Sequence, residues 1–250
     1  MIPWSLIDTA KIPDGDENLR LKRRGGEFSI MLGANELMNS RVTGSEQALA
    51  ALSCEVIRDR RRPKVLIGGL GMGFTLRETL AELGDDAEII VAELVPAIIE
   101  WARGPMAEVF GTCLTDPRVS IRETDVAHLI EAGRDTYDAI LLDVDNGPDG
   151  LTRKANDGLY SDAGLRAAGK ALTPGGVLAV WSSGPDRDFS RRLNRSGFFV
   201  REVKVRANSR RRSGARHVIW LATKADAVPD RGSRPGPGPG YVSQKNEPTS

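Results

Sequence analysis

The stretch that decides the fold is "PKVLIGGLGMGFTLRETL", residues 63–80. A short aliphatic run from Val65 to Ile67 meets Gly68, Gly69, Gly71 and Gly73, and helical spacing begins at Phe74. The run predicts a buried strand and the residues after it a helix. Glycines at such a junction suit a ligand pressed against the main chain, because backbone N–H groups and a helix start can then face it. Close packing of strand on helix also selects glycine, so the turn alone names no ligand.

Working outward, the same alternation continues. "AEIIVAEL" (87–94) predicts a strand, and "VPAIIEWARG" (95–104) a helix with Pro96 in its first turn. "VSIRE" (119–123) is a strand followed by a helix from about Asp125, and "YDAILLD" (137–143) has the apolar core of a strand buried on both faces. "DAGLRAAGKAL" (162–172) predicts a helix ended by Pro174-Gly175-Gly176, followed by the strand "VLAVWSS" (177–183). "DFSRRLNRSG" (188–197) is a helix, and "FFVREVKVRA" (198–207) with "ARHVIWLATK" (215–224) predicts an antiparallel pair around a basic loop. In front, "SEQALAALSCEVIRD" (45–59) carries apolar residues at helical intervals. Before it, short segments broken at Pro13-Asp14-Gly15 and Gly25-Gly26 predict a small antiparallel β region.

The expected fold is therefore α/β. It is a Rossmann-like, doubly wound and mostly parallel sheet with an antiparallel C-terminal hairpin, preceded by a small N-terminal β region. The expected units are 1–44 (β region), 45–224 (Rossmann-like domain) and 225–250, a Pro/Gly-rich tail too poor in apolar residues to fold.

Composition narrows the function classes. The 250 residues are 40% hydrophobic, and 35 Lys plus Arg against 34 Asp plus Glu leave a net charge of +1, with no general pull toward nucleic acid or acidic lipid. Two cysteines without pair spacing, Cys54 and Cys113, make poor material for a disulfide framework or a zinc site and fit a reducing compartment. With no apolar run of signal-peptide or membrane-spanning length, a cytoplasmic protein without a membrane partner is expected. The basic runs "RDRRRPK" (58–64) and "RRR" (210–212) lack interleaved aromatic residues and read as solvated surface. His128 and His217 have no metal-ligand spacing, so no metal is expected.

Candidate site residues fall at the carboxyl ends of the strands, where open α/β sheets bind ligands. Gly69, Gly71 and Gly73 follow the first core strand; Glu93 ends the second, 20 residues after Gly73, and can accept both hydroxyls of a ribose. Asp125 follows the third and either caps the next helix or accepts from an adenine amino group. Asp143 ends the buried fourth strand, where a carboxylate can bind a cationic amine and take its proton. Asp145 and Asp149 follow within a turn-prone segment and are candidates for amine binding. Trp101 and Trp181 read as packing residues, with Trp181 within reach of the pocket.

The pieces "VLIGGLGMGFTLRE", "VAELVPAIIEWAR", "DPRVSIRETDVAHLI", "YDAILLDVDNGP" and "LTPGGVLAV", in this order, resemble spermidine synthases within the wider class of AdoMet-dependent methyltransferases. The resemblance covers roughly residues 20–222. It implies ribose binding by Glu93, adenine contact by Asp125 and the catalytic aspartate's place for Asp143. Three departures stand out. The family's G-G-G-D-G-G loop has its acid replaced by Met72, its D-S-S-D-P signature becomes Asp143-Val144-Asp145-Asn146-Gly147-Pro148, and its Tyr-Gln pair falls near Ser45-Glu46.

The leading expectation is an enzyme that binds S-adenosylmethionine or its decarboxylated form and alkylates an amine-bearing small molecule. Methyl transfer is slightly favoured, because Met72 offers no partner to a donor's ammonium. The alternatives are a polyamine aminopropyltransferase, a non-catalytic nucleoside-binding scaffold and an NAD-dependent oxidoreductase, the last without a visible second nucleotide-binding half. A homodimer is compatible with this reading.

Overall fold

A computed structural model of the chain describes residues 2–13, 17–144, 157–208 and 213–225. Four strands come first, β1 (Ser5–Lys11), β2 (Asn18–Arg24), β3 (Glu27–Leu32) and β4 (Asn35–Asn39), paired antiparallel in sequence order. The rest alternates: α1 (Gly44–Ile57), β5 (Lys64–Gly68), α2 (Phe74–Glu82), β6 (Glu88–Glu93), α3 (Pro96–Arg103) and α4 (Ala107–Phe110). A 3-10 turn (Cys113–Thr115) leads to β7 (Val119–Glu123), α5 (Val126–Ala132) and β8 (Tyr137–Leu142). After residue 156 come α6 (Asp157–Tyr160), α7 (Asp162–Ala171), β9 (Leu172–Ser182), α8 (Arg187–Arg195), β10 (Phe198–Asn208) and β11 (Ser213–Lys224).

The second sheet has the order β10-β11-β9-β8-β5-β6-β7. Strands β9, β8, β5, β6 and β7 run parallel, and β11 and β10 close the edge as an antiparallel pair. The expected mostly parallel sheet with a C-terminal hairpin is thus observed. One boundary differs: α7 stops at Ala171, and β9 starts at Leu172, so Thr173-Pro174-Gly175-Gly176 belongs to the strand. Leu172 already pairs with Tyr137 of β8, with a register shift before Val177, so strand pairing wins over helix continuation there.

Burial on both faces follows from the near-continuous apolar strands. Along β5, Val65 and Ile67 point to a core shared with α1, α2, α3 and the N-terminal sheet, while Leu66 points to the core under α5, α7 and α8. Along β8, Ala139 and Leu141 divide from Ile140 and Leu142 in the same way. Each such apolar side chain contributes about 1.5–3 kcal/mol on burial, which is what holds the strand ends in register. Leu19, Leu21, Phe28, Ile30 and Leu32 of the N-terminal sheet join the first core, so that sheet packs on the larger one.

The chain proceeds from β5 outward through β6 and β7, then returns to the other side of β5 as β8. That reversal is a switch point, and the loops that diverge from it leave a crevice at the carboxyl ends of β5 and β8.

The basic run at 58–64 has a structural use. Arg60 donates from Nη1 to Asp138 Oδ1 at 2.7 Å and to Thr173 Oγ1 at 2.8 Å, and Asp138 Oδ2 accepts from the Lys64 N–H at 2.8 Å. The guanidinium thus ties the start of β5 to β8 and β9 at the end of the sheet away from the crevice. The second basic run (210–212) and the Pro/Gly-rich residues from 226 lie outside the described residues. Among the described residues no helix is long and apolar enough to cross a membrane.

Candidate active site

The crevice is a cleft of about 180 Å³ across the ends of β8, β5, β6 and β7, walled on one side by the N-terminal sheet. Neighbouring strands lie about 4.8 Å apart, so the step from β7 to β8 spans about 14 Å. That span takes a nucleoside laid across the strand ends with a short chain beyond it.

At β5 the main chain turns sharply. Gly69 has φ +91°, and a Cβ there would come within 2.9 Å of the Asp143 carbonyl oxygen. Gly73, the N-cap of α2, has φ +74°, and a Cβ there would meet the Phe110 ring at 2.5 Å. Both positions combine a left-handed backbone with no room for a side chain, so glycine is required twice over. The turn lays the loop's backbone against the cleft. Met72 is buried, 3% exposed, and lines the cleft without charge.

Glu93 ends β6 with its carboxylate 5% exposed. The Leu70 N–H donates to Oε2 at 2.9 Å and the Val95 N–H to Oε1 at 2.8 Å, so the carboxylate is fixed between the glycine loop and the start of α3. Burial raises its pKa, opposed by the backbone N–H groups of Val95, Leu70, Gly71 and Leu94. Each oxygen keeps a lone pair that can accept from a diol.

Asp125 caps α5, its Oδ1 accepting from the Ala127 N–H at 2.8 Å, and the same residue lines the cleft. The two roles read for it in the sequence are therefore geometrically compatible.

Asp143 stands just beyond β8, its N–H donating to the Gly68 carbonyl at 3.2 Å across the switch point. Its Oδ2 accepts from Thr75 Oγ1 at 3.0 Å. Desolvation pushes the pKa up to about 7, the nearby Glu46 charge adds to the rise, and the Thr75 hydroxyl opposes it. A carboxyl poised there can exchange a proton near neutral pH.

Trp181 lines the cleft from β9, and His217 of β11 stacks edge-on behind it at 4.7 Å between ring centres. Asp145 and Asp149 lie outside the described residues. Trp101 is buried packing, as read, and also donates from Nε1 to Asp8 Oδ2 of β1 at 2.7 Å, a long-range bond that no sequence pattern announced.

A further acid lines the cleft: Glu46, in the first turn of α1, beside the position of the family's Tyr-Gln pair. The cleft then contains Glu46, Glu93, Asp125 and Asp143, and no Lys, Arg or His among its described lining residues. Such a lining favours cations, and among the described residues it offers no cationic side chain to the pyrophosphate of a dinucleotide.

No protein-family model matches the chain. Among curated proteins it is similar to the polyamine aminopropyltransferase of Mycobacterium tuberculosis, 30% identical over 175 residues, which is 68% of this chain and 31% of that protein. It is also 31% identical over 121 residues to the polyamine aminopropyltransferase of Korarchaeum cryptofilum, covering 48% of this chain and 36% of that protein. The matched part is thus about a third of the length of these relatives.

Among solved structures it superimposes on a spermidine synthase in complex with the transition-state analogue AdoDATO, with a TM-score of 0.69 and 19% identity. That match covers 89% of this chain and 73% of the other. The spermidine synthase from Thermotoga maritima gives a TM-score of 0.68 over the same shares. The fold is therefore that of spermidine synthases, and the resemblance read in the sequence holds. Of the transfer chemistries left open there, the relatives carry out the aminopropyl kind, not the methyl kind that Met72 favoured.

Proposed function

We propose that this chain is a polyamine aminopropyltransferase-type enzyme that takes the aminopropyl group of decarboxylated S-adenosylmethionine to an amine-bearing small molecule. The observation that carries the reading is the lining of the cleft: four carboxylates, no cationic side chain among the described residues, and a bare glycine turn between them. A donor with a sulfonium and an ammonium, and an acceptor that is itself an amine, match that field; a phosphate-bearing ligand does not.

In this reading Glu93 accepts from the ribose hydroxyls, Asp125 contacts the adenine, and the turn from Gly69 to Gly73 lets the donor approach the main chain. The reacting carbon then lies at the β8 end beside Asp143. The acceptor's nitrogen attacks the propyl carbon on sulfur, the N–C bond forms, the C–S bond breaks, and its electron pair stays with methylthioadenosine. Asp143 takes a proton from the nitrogen. Charge disperses in such a displacement, so alignment and exclusion of water supply most of the acceleration. The apolar wall from the N-terminal sheet, with Leu19, Leu32, Leu37 and Met38 facing the cleft, supports that exclusion.

Incubation with decarboxylated S-adenosylmethionine and putrescine should release methylthioadenosine and form spermidine. Release of S-adenosylhomocysteine from S-adenosylmethionine instead, with no product from the decarboxylated donor, would favour the second reading, methyl transfer. One feature supports that second reading: Met72 leaves the glycine loop without a carboxylate for a donor's ammonium.

A further inference from the structure

Strand β10 is the outer strand of the large sheet. It pairs with β11 alone, so its other side has no strand beside it among the described residues. At eleven residues it is long for an uncovered edge, and it holds no proline. Phe198 and Val200 pack on the core under α5, α7 and α8, while Val203 and Val205 pack on the core shared with α1. Phe199, on the second of these faces, is 71% exposed, more than any other large apolar side chain among the described residues. Arg201, Glu202, Lys204 and Arg206 are exposed, and none forms an ion pair among the described residues. Glu202 Oε2 accepts from Ser190 Oγ at 3.4 Å.

Charges ordinarily keep an exposed strand edge single, because a second copy would bring like against like. The charges of β10 are placed otherwise. When a strand pairs antiparallel with its own copy about a two-fold axis, facing residues share one face of the sheet, so every register is centred on one residue. Centring on Arg201, Glu202 or Lys204 sets a charge against itself, and centring on Val205 sets Lys204 against Arg206. Centring on Val203, the midpoint of Phe198–Asn208, avoids all of these. In that register the whole strand overlaps, Glu202 stands opposite the partner's Lys204 twice by symmetry, and Phe199 stands opposite the small Ala207. The outer strand of the N-terminal sheet lacks this property. Centred on its midpoint, β1 would set Asp8 on itself, and Asp8 is already held by Trp101.

We propose that β10 is the contact surface for a second copy of this chain, joined edge to edge in the register centred on Val203, with the Glu202–Lys204 pairs selecting that register. The inference does not rest on the transferase reading. Main-chain hydrogen bonds between the two β10 strands hold the copies together, as in strand addition to any open sheet edge. Covering Phe199 removes an exposed aromatic surface from water, and opposite charges facing across the strands favour this alignment over the others.

Analytical ultracentrifugation of the full chain and of two charge reversals tests it. The wild type should sediment as a dimer. Glu202→Lys and Lys204→Glu each bring like charges face to face twice, and each should raise the dimer's dissociation constant by about tenfold or more. Mixed in equal amounts, the two variants should associate nearly as tightly as wild type, because every reversed charge then meets its opposite. The double variant should recover the dimer for the same reason, which separates a lost interface from a lost fold. A wild-type chain that stays monomeric at about 100 µM overturns the proposal. So do single variants that dimerise as well as wild type, and so does a mixture no tighter than either variant alone.

Discussion

Asp143 carries two opposing demands, and both are measurable. As the proposed base it must be ionised, so turnover should fall as pH drops through about 7, the value to which burial and Glu46 push it. For stability the sign is reversed. Its folded pKa lies above the ordinary 3.8, so between the two values the folded chain holds a proton that the unfolded chain has lost. Its contribution to stability is full below the ordinary value and is lost as pH rises through the folded one. Asp143→Asn should therefore gain thermal stability relative to wild type at mildly alkaline pH and not at acid pH. The same variant should keep its nucleoside affinity and lose about two or more orders of magnitude in turnover. Glu93→Ala should weaken methylthioadenosine binding by about 1.5–3 kcal/mol, the range for hydrogen bonds to a charged group, as read by calorimetry. The placement of Glu93 and Asp143 at strand ends was legible in the sequence because apolar runs that end in an acid mark where a buried strand stops. Glu46 was legible only through the resemblance, which puts Ser45-Glu46 where the family has its Tyr-Gln pair, because a helix N-terminus collects acids for its dipole anyway. In the fold Glu46 lines the same cleft as the strand-end acids.

At the scale of elements, the glycine turn and the Arg60 tie hold opposite ends of the sheet. Gly73→Ala would set a β-carbon against Phe110 in a left-handed conformation and should destabilise the protein by about 1–3 kcal/mol. Its loss of nucleoside affinity should exceed that of a surface substitution of equal stability cost, because the turn and the ligand share the same backbone. Arg60→Ala would leave Asp138, 13% exposed at its side chain, without its cation. Arg60 is itself 29% exposed, so the cost should fall below the full range for buried pairs, at about 2 kcal/mol in urea unfolding, with nucleoside binding intact. The alternation of strands and helices was readable because apolar runs bounded by Gly, Pro and Asp repeat along the chain. The short helices α4 and α6 were not, since four residues carry no periodicity. The start of β9 was misread because Pro174-Gly175-Gly176 signals a turn, while pairing with β8 overrides it.

For the whole molecule, the arrangement of two sheets decides what the cleft can admit. The parallel sheet sets out Asp125, Glu93, the glycine turn and Asp143 in order across the ends of β7, β6, β5 and β8, and the N-terminal sheet closes an apolar wall over them. Sequence reading separated the two sheets correctly but held no information on how one lies on the other, which long-range contacts such as Trp101 with Asp8 determine. The residues from 226 on have almost no apolar content, so truncation after Ala225 should leave both the melting temperature and methylthioadenosine affinity unchanged. In the proposed function this acidic cleft selects a doubly cationic nucleoside donor. In competition binding against methylthioadenosine, decarboxylated S-adenosylmethionine should bind about tenfold or more tightly than S-adenosylmethionine, whose carboxylate meets four acids and no cationic side chain among the described lining residues. Equal affinities, or tighter binding of S-adenosylmethionine, would contradict it.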